Sequence, residues 1–121
     1  YLKNELSKIS TLFELPEQSS YVKTCWLAFP ILVKQNKYFS REDLQIYLEK
    51  NNIQTRVIFS GNILKQPLMQ HKKYVKVKSC DINSNYIMKN GILVGCHHGM
   101  KIKDLKYMIN TFKKFVRSYT N

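Results

Sequence analysis

The sequence predicts an α+β domain, a two-layer sandwich in which helices cover one face of a small mixed sheet. Three observations predict it: a long amphipathic stripe near the C-terminus, apolar runs short enough to be buried strands, and an alternation of helix-type and strand-type patterns along the chain. The 121 residues suffice for one domain with a modest core. Hydrophobic residues make up 44% of the chain, which is too many for a disordered protein.

The chain opens with apolar residues spaced by four, three and four positions, which form one helical stripe: Leu2, Leu6, Ile9 and Phe13. Pro16 then ends the helix. We interpret residues 1–14 as the end of an inter-domain helix and residues 15–121 as the domain itself. Because the chain starts at Tyr1 and not at Met, we expect it to be a piece of a longer protein.

Two apolar runs predict buried strands. The first lies within Tyr21–Val33 and is apolar throughout from Cys25 onward, as in a strand covered on both faces. Pro30 cannot donate to a sheet hydrogen bond, so it marks a bulge or an edge. The second run is Gly91–Cys96. A weaker alternation at Tyr74–Val77 is compatible with a short edge strand.

Helix signals separate these strands. Ser40 is a good N-cap and Asp43 stands where a capping-box acid would, ahead of a buried face formed by Leu44, Tyr47 and Leu48. Asp81 is placed to cap a short helix that ends at Asn90-Gly91. The last helix carries the longest stripe, formed by Ile102, Leu105, Met108, Ile109, Phe112, Phe115 and Val116.

The segment Thr55–Pro67 combines a strand with a polar turn. The alternation predicts Val57 and Phe59 on one face of the strand, and Arg56, Ile58 and Ser60 on the other. The turn that follows is Ser60-Gly61-Asn62. Arg56 and Asn62 could reach a common pocket and bind a phosphate or carboxylate. Residue types alone leave open a surface arginine on an edge strand beside a turn asparagine.

Composition narrows the function classes. The net charge is +12, yet only three of the 20 basic residues are arginine, which nucleic-acid readers use for bidentate contacts. Since the lysines are spread along the chain, we interpret them as solvated and expect neither nucleic acid nor membrane as a partner. An odd number of cysteines, Cys25, Cys80 and Cys96, leaves one unpaired, which predicts reduced, partly buried thiols in a cytoplasmic protein.

The run Cys96-His97-His98 resembles a metal cluster, but consecutive strand residues point to opposite faces and cannot all bind one ion. No CxxC or HxxxH pair accompanies it. We therefore expect no metal, and expect His97 and His98 to face a cleft.

Two motifs carry a resemblance to a known family: Thr-Arg-Val-Ile-Phe-Ser-Gly-Asn-Ile-Leu-Lys-Gln-Pro at 55–67, and Ile-Leu-Val-Gly-Cys-His-His-Gly-Met at 92–100. Together they resemble the C-terminal part of DegT-type sugar aminotransferases, above all the branch with the nucleotide-sugar 3-dehydrases of lipopolysaccharide synthesis. Two positions depart from the family pattern. Lys65 stands where members often have Arg, and Lys101 replaces the usual Ser or Thr N-cap of the last helix.

The resemblance implies the small C-terminal domain of a fold-type I enzyme that uses pyridoxal 5′-phosphate (PLP), held mainly by a large domain outside this chain. It implies a homodimer, and a nucleotide-linked 4-keto-6-deoxy sugar as substrate in lipopolysaccharide or O-antigen biosynthesis. The catalytic base, a Lys or a His, would also lie outside this chain, so no residue here is catalytic and the chain alone is inactive.

The resemblance also implies that Arg56, Asn62 and His97 line the nucleotide-sugar side of the site, with Ser60, Gly61 and His98 as neighbours. A cation suits the diphosphate, an amide suits sugar hydroxyls, and an imidazole suits the mouth of the site. Two alternatives remain open at this point: a non-catalytic interaction domain, and a basic module that binds nucleic acid.

Overall fold

The computed structural model describes residues 1–9, 11–75, 77, 79 and 81–120. Helices and strands alternate along these residues, as the sequence predicts. In chain order they are α1 (Leu2–Ile9), β1 (Phe13–Glu14), β2 (Ala28–Val33), α2 (Arg41–Lys50), β3 (Thr55–Val57), two short 3₁₀ helices (Ile63–Lys65 and Pro67–His71), α3 (Ile82–Asn90), β4 (Gly91–Gly95) and α4 (Ile102–Thr120).

The four strands form one sheet in the order β1-β2-β4-β3. Every neighbouring pair is antiparallel, with Phe13 opposite Val33, Ile31 opposite Ile92, and Thr55 opposite Val94. The α+β class is therefore confirmed, but the predicted mixed sheet is wrong. Strands of two to six residues carry too little pattern to reveal their direction in the sequence.

One face of the sheet holds the hydrophobic core. Alternate residues of β2 and β4 point to this face and pack with α1, α2 and α4. Aromatic rings fill the centre, where the rings of Phe13 and Phe112 meet edge to face with their centroids 5.7 Å apart. Helices α1, α2 and α4 on this face form the helical layer of the predicted sandwich.

The opposite face of the sheet is only partly covered. Pro30 and Leu32 of β2 are half-buried there and line a shallow apolar cavity with Ile58 and Ile87. Helix α3 packs against β2 and β4 but contributes no buried residue to the core. Helices therefore lie on both faces of the sheet, where the sequence predicted only one.

The N-terminal helix ends earlier than its stripe predicts. It stops at Ile9, and Phe13 lies in the short strand β1, where the backbone N–H of Lys34 donates to the carbonyl of Leu12 (2.7 Å). Leu2 and Leu6 are buried as predicted. The spacing fits a helix that continues to Phe13, but Phe13 reaches the core from a strand instead.

The strand predicted within Tyr21–Val33 is shorter and less covered than expected. Strand β2 begins at Ala28, and Leu27 just before it is 89% exposed. Burial alternates along β2, so the prediction of burial on both faces is wrong. The edge predicted at Pro30 is confirmed in part, because β1 pairs only with Leu32 and Val33 and leaves Pro30 with a single neighbouring strand.

The cap of α2 follows the sequence closely, whereas Asp81 stands at the N-cap of α3 as predicted but its side chain makes no capping hydrogen bond. The hydroxyl of Ser40 accepts from the backbone N–H of Asp43, and the carboxylate of Asp43 accepts from the backbone N–H of Ser40, which confirms the capping box. In α4 the carboxylate of Asp104 accepts from the backbone N–H of Lys101 (2.8 Å). That bond is the half of a capping box that the N3 acid supplies, and it satisfies a different donor from the one a Ser or Thr cap would serve. Ile102 is exposed, against the prediction that the stripe begins there.

The remaining expectations have mixed outcomes. Cys96 is half-buried as predicted, Cys25 is exposed, and Cys80 lies outside the described residues. The weak strand predicted at Tyr74–Val77 is absent from its described residues, and Lys76 is not among them. In the described part of the chain, no helix has the length and apolarity to cross a membrane.

Candidate functional site

The segment that follows β3 turns tightly within five residues, Ile58–Asn62, which we call the β3 loop. The backbone N–H of Gly61 donates to the carbonyl of Ile58 (3.0 Å). Two residues of the loop have left-handed backbones, Phe59 with φ of 47° and Gly61 with φ of 63°. The predicted turn at 60–62 is therefore confirmed, but the strand ends at Val57, and the predicted strand placement of Ile58, Phe59 and Ser60 is wrong.

Gly61 lies directly against helix α3. A Cβ atom at Gly61 would come within 2.5 Å of the Cγ of Met88, closer than real Cβ atoms approach. Glycine is also the residue that adopts positive φ without steric cost. Both the backbone shape and the close approach of α3 therefore require glycine at this position.

Asn62 is buried, with 2% of its surface exposed. Its Oδ1 accepts from the backbone N–H of Leu64 (2.9 Å) and thereby caps the first 3₁₀ helix. Its Nδ2 donates to Oδ1 of Asn85 on α3 (2.9 Å). The Asn62 side chain thus supports the loop, and its predicted contact with a substrate stays a prediction.

The exposed side chains around the loop are the ones free to meet a ligand. Arg56 is exposed and makes no hydrogen bond or ion pair with any other described residue. Ser60 is exposed, while its carbonyl accepts from Nε2 of Gln66 (2.8 Å). Phe59 is 82% exposed although its ring is large and apolar.

Helix α2 fixes the start of the strand that carries Arg56. Oε1 of Glu49 accepts from both the hydroxyl (2.7 Å) and the backbone N–H (2.6 Å) of Thr55. These two hydrogen bonds, with a smaller contribution from the positive charge of Arg56, lower the pKa of Glu49. The carboxylate is thereby held ionised at the base of the strand.

His97 and His98 follow β4 and are both exposed. Nδ1 of His97 accepts from the backbone N–H of Gly99 (3.2 Å), so the neutral ring carries its proton on Nε2. His97 lines a cavity of about 450 Å³ with Trp26 and Phe29, and a second of about 430 Å³ with Tyr107. The predicted exposure of His97 to a cleft is confirmed.

The predicted site residues form two groups at opposite ends of the sheet edge. Strands β3 and β4 are antiparallel, so the β3 loop lies near the start of β4 at Gly91, and His97 lies beyond its end at Gly95. Four residues of strand separate these ends, which is about 13 Å. Arg56, opposite Leu93, lies between the two groups. Within one chain, therefore, the β3 loop and the histidines are too far apart to contact the same small chemical group of a ligand.

Sequence reasoning missed three residues of this region. Asn85, Met88 and Gln66 all hold the β3 loop, and they come from α3 and the link between the 3₁₀ helices. Only the fold brings Asn85 and Met88 to the loop, because no spacing in the sequence connects residues more than 20 positions apart. Gln66 is six positions from Ser60, but no sequence pattern marks its side chain as a partner of that carbonyl. In the described residues, no group of three His, Cys, Asp or Glu side chains could hold a metal ion.

The family comparison decides what this chain is related to. The sequence model of the DegT/DnrJ/EryC1/StrS aminotransferase family matches residues 1–113. The chain belongs to this family. The resemblance found in the two sequence motifs is thereby confirmed, and the match extends over α1, the sheet and most of α4.

Comparison with individual curated proteins shows which members of the family this chain is similar to. The chain is 31% identical over 115 residues to the lipopolysaccharide biosynthesis protein RfbH of Salmonella typhimurium, covering 95% of this chain and 26% of that protein. It is 27% identical over 100 residues to the GDP-4-keto-6-deoxy-D-mannose 3-dehydratase of Escherichia coli O55:H7, covering 82% and 26%. The chain thus spans about a quarter of the length of the curated relatives that it matches.

Solved structures share the fold. A GDP-4-keto-6-deoxymannose-3-dehydratase with a trapped PLP–glutamate geminal diamine superposes with a TM-score of 0.80 at 23% identity, over 93% of this chain and 28% of that one. A DegT/DnrJ/EryC1/StrS aminotransferase from Brucella abortus superposes with a TM-score of 0.77 at 14% identity, over 99% and 30%. The α+β arrangement of this chain is therefore one that occurs within PLP enzymes.

Proposed function

We propose that this chain is the small C-terminal domain of a PLP-dependent enzyme that modifies a nucleotide-linked 4-keto-6-deoxy sugar, by 3-dehydration or by transamination. The observation that carries the proposal is the similarity to RfbH and to a nucleotide-sugar 3-dehydratase over most of this chain. On the same ground we assign the whole protein to lipopolysaccharide or O-antigen biosynthesis. We further propose that it is a cytoplasmic homodimer, as the family resemblance implies.

We propose that the site for PLP lies mainly outside the described residues. A lysine that forms a Schiff base is usually desolvated in a pocket, and none of the described lysines is buried. His97 and His98 are exposed as well. When bound, PLP supplies the electron sink for bond changes next to the reacting carbon. We place the cofactor and the catalytic base in the rest of the whole protein.

The residues of this chain serve the substrate in this proposal. The guanidinium of Arg56 is unpaired among the described residues and offers a planar fork to a phosphate. Ser60, exposed in the loop that follows the strand, offers a hydroxyl. His97, with its proton on Nε2, can donate to a sugar or carbonyl oxygen. Because a nucleotide sugar is an extended ligand, groups about 13 Å apart can contact different parts of it.

The test is an activity assay on the full-length protein. We expect that, with PLP and glutamate, it converts a GDP- or dTDP-linked 4-keto-6-deoxy sugar into a product that either carries an amino group in place of the ketone or lacks its 3-hydroxyl. The 121-residue chain alone serves as the control and should leave the sugar unchanged. A full-length protein that binds PLP but alters no nucleotide-linked keto sugar would contradict the proposal.

A further inference from the structure

We propose that Asn85 of α3 is a positioning residue, which fixes the β3 loop in the shape that presents Ser60 to the ligand, next to the strand that carries Arg56. Met88, one turn further along the same helix, assists it. This inference rests on the proposed function, in which that loop contacts a nucleotide sugar. No sequence motif marks Asn85, and its role follows from its contacts alone.

The first contact is a buried hydrogen bond. Nδ2 of Asn62 donates to Oδ1 of Asn85 (2.9 Å), while Oδ1 of Asn62 is taken by the backbone N–H of Leu64. Because Asn62 is buried, losing the Asn85 oxygen would leave an amide donor without that partner, away from water. The loop would have to move to satisfy it.

The orientation of the Asn85 amide is set from its other side. Nδ2 of Asn85 faces Oδ2 of Asp81 at 3.5 Å. An ionised carboxylate only accepts hydrogen bonds, so the amide turns its nitrogen to Asp81 and its oxygen to Asn62. The start of α3 therefore determines which atom Asn85 offers to the loop.

The loop needs this external support. Phe59 and Gly61 both have positive φ, and a bulky residue rarely adopts that conformation unless its surroundings impose it. Gly61 is pressed against Met88, and Nε2 of Gln66 donates to the carbonyl of Ser60. These contacts, and not the loop's own preference, determine how Ser60 is presented.

Helix α3 is suited to this role because it contributes little to the hydrophobic core. None of its residues is buried, in contrast to α1, α2 and α4. Its packing is with the second face of the sheet and with the loop. A polar side chain on α3 can therefore be exchanged without opening a cavity in the core.

The experiment uses the full-length protein with Asn85→Leu, and Asn90→Leu as the matched control. Asn90 lies on the same helix, but its Nδ2 donates to the carbonyl of Tyr86 within the helix. We expect Asn85→Leu to raise KM for the nucleotide sugar about tenfold, with kcat changed less than about twofold and PLP content unchanged. Asn90→Leu should leave both constants unchanged. If Asn85→Leu does not fold, Asn85→Ser removes the same bond with a smaller change.

A rescue separates positioning from general damage. The double variant Asp81→Asn/Asn85→Asp exchanges donor and acceptor between the two residues and still offers an oxygen to Asn62. We expect it to return KM to within about threefold of the wild type. A KM as high as that of Asn85→Leu would overturn the proposal.

Hydrogen exchange of peptides covering residues 58–66 provides a readout that needs no substrate. Asn85→Leu should speed exchange there and Asn90→Leu should not, whereas unchanged exchange in Asn85→Leu would overturn the positioning role. Faster exchange with an unchanged KM would also overturn it, because the loop would then not serve the ligand. If the wild type alters no nucleotide sugar, the proposed function fails, and the exchange result alone decides whether Asn85 holds the loop.

Discussion

Arg56 and Asn62 stand six positions apart in one motif, yet the fold uses them in opposite ways. Arg56 is exposed and without a hydrogen-bond partner in the described residues, whereas Asn62 is buried with both ends of its amide bonded. The sequence could identify both as polar residues beside a turn. It could not separate them, because the partner of Asn62 lies on α3, 23 positions away.

The free guanidinium of Arg56 leads to a prediction about binding. In the full-length protein, Arg56→Ala should raise KM for the nucleotide sugar about 10- to 100-fold through loss of a charge-assisted hydrogen bond to phosphate. Arg56→Lys should recover only part of it, because an ammonium lacks the planar fork. The thermal midpoint should stay unchanged. Arg117→Ala, which removes an exposed arginine from α4, is the control. Equal KM values for Arg56→Ala and the control would contradict the role.

The backbone of Phe59 leads to a prediction about stability. Its φ of 47° is unfavourable for a bulky residue, and its ring is 82% exposed, so replacing the ring removes little packing. Asparagine adopts this conformation more readily. Phe59→Asn should therefore raise the free energy of unfolding by about 0.5–1 kcal/mol in urea titrations. A loss of stability would mean that the ring has packing partners in the whole protein.

At the scale of single elements, the sequence predicts the cap of α2 correctly but not the residue at which β3 ends. Ser40 and Asp43 form the predicted capping box, because a cap needs only residues three positions apart. Strand β3 ends at Val57 and not at Ser60, although β4 extends to Gly91, because the backbone turns at Ile58–Gly61 and helix α3 holds that turn. The end of a strand is therefore set by a neighbour that the local sequence does not contain.

The hydrogen bonds that join α2 to β3 and cap α2 lead to a prediction about pH. The pKa of Glu49 is lowered by Thr55, and the pKa of Asp43 is lowered by the backbone N–H and hydroxyl of Ser40. Carboxyls with a lowered pKa in the folded state stabilise it fully above the ordinary carboxyl value, about 4, and lose this contribution as the pH falls through the folded pKa. The urea midpoint should thus be level near neutral pH and fall below about pH 4.

Glu49→Gln tests this assignment. The amide oxygen can still accept from Thr55, but the side chain no longer titrates, so the fall in the urea midpoint at acid pH should become shallower. Glu17→Gln, at an exposed position without a hydrogen bond among the described residues, should leave the fall unchanged. Identical pH profiles for the wild type and Glu49→Gln would show that this carboxylate does not link stability to pH.

At the scale of the whole molecule, the class of fold was predictable and the layout of the site was not. The alternating patterns and the stripe of α4 indicate an α+β domain, and the family match agrees with it. The family resemblance implies that Asn62 and His97 line one site, and the antiparallel register puts them at opposite ends of β4, where only an extended ligand spans both. Strand direction decides which ends meet, and strands this short do not encode direction in their own pattern.

The central claim is that this chain is part of a PLP-dependent nucleotide-sugar enzyme. The measurement that tests it most directly is to load the full-length protein with PLP, treat one half with borohydride, denature both halves and determine their masses. We predict stoichiometric PLP in the native protein. A reduced adduct would indicate a lysine and transamination, and PLP lost on denaturation would indicate a histidine-based 3-dehydratase. A full-length protein that binds no PLP would contradict the account.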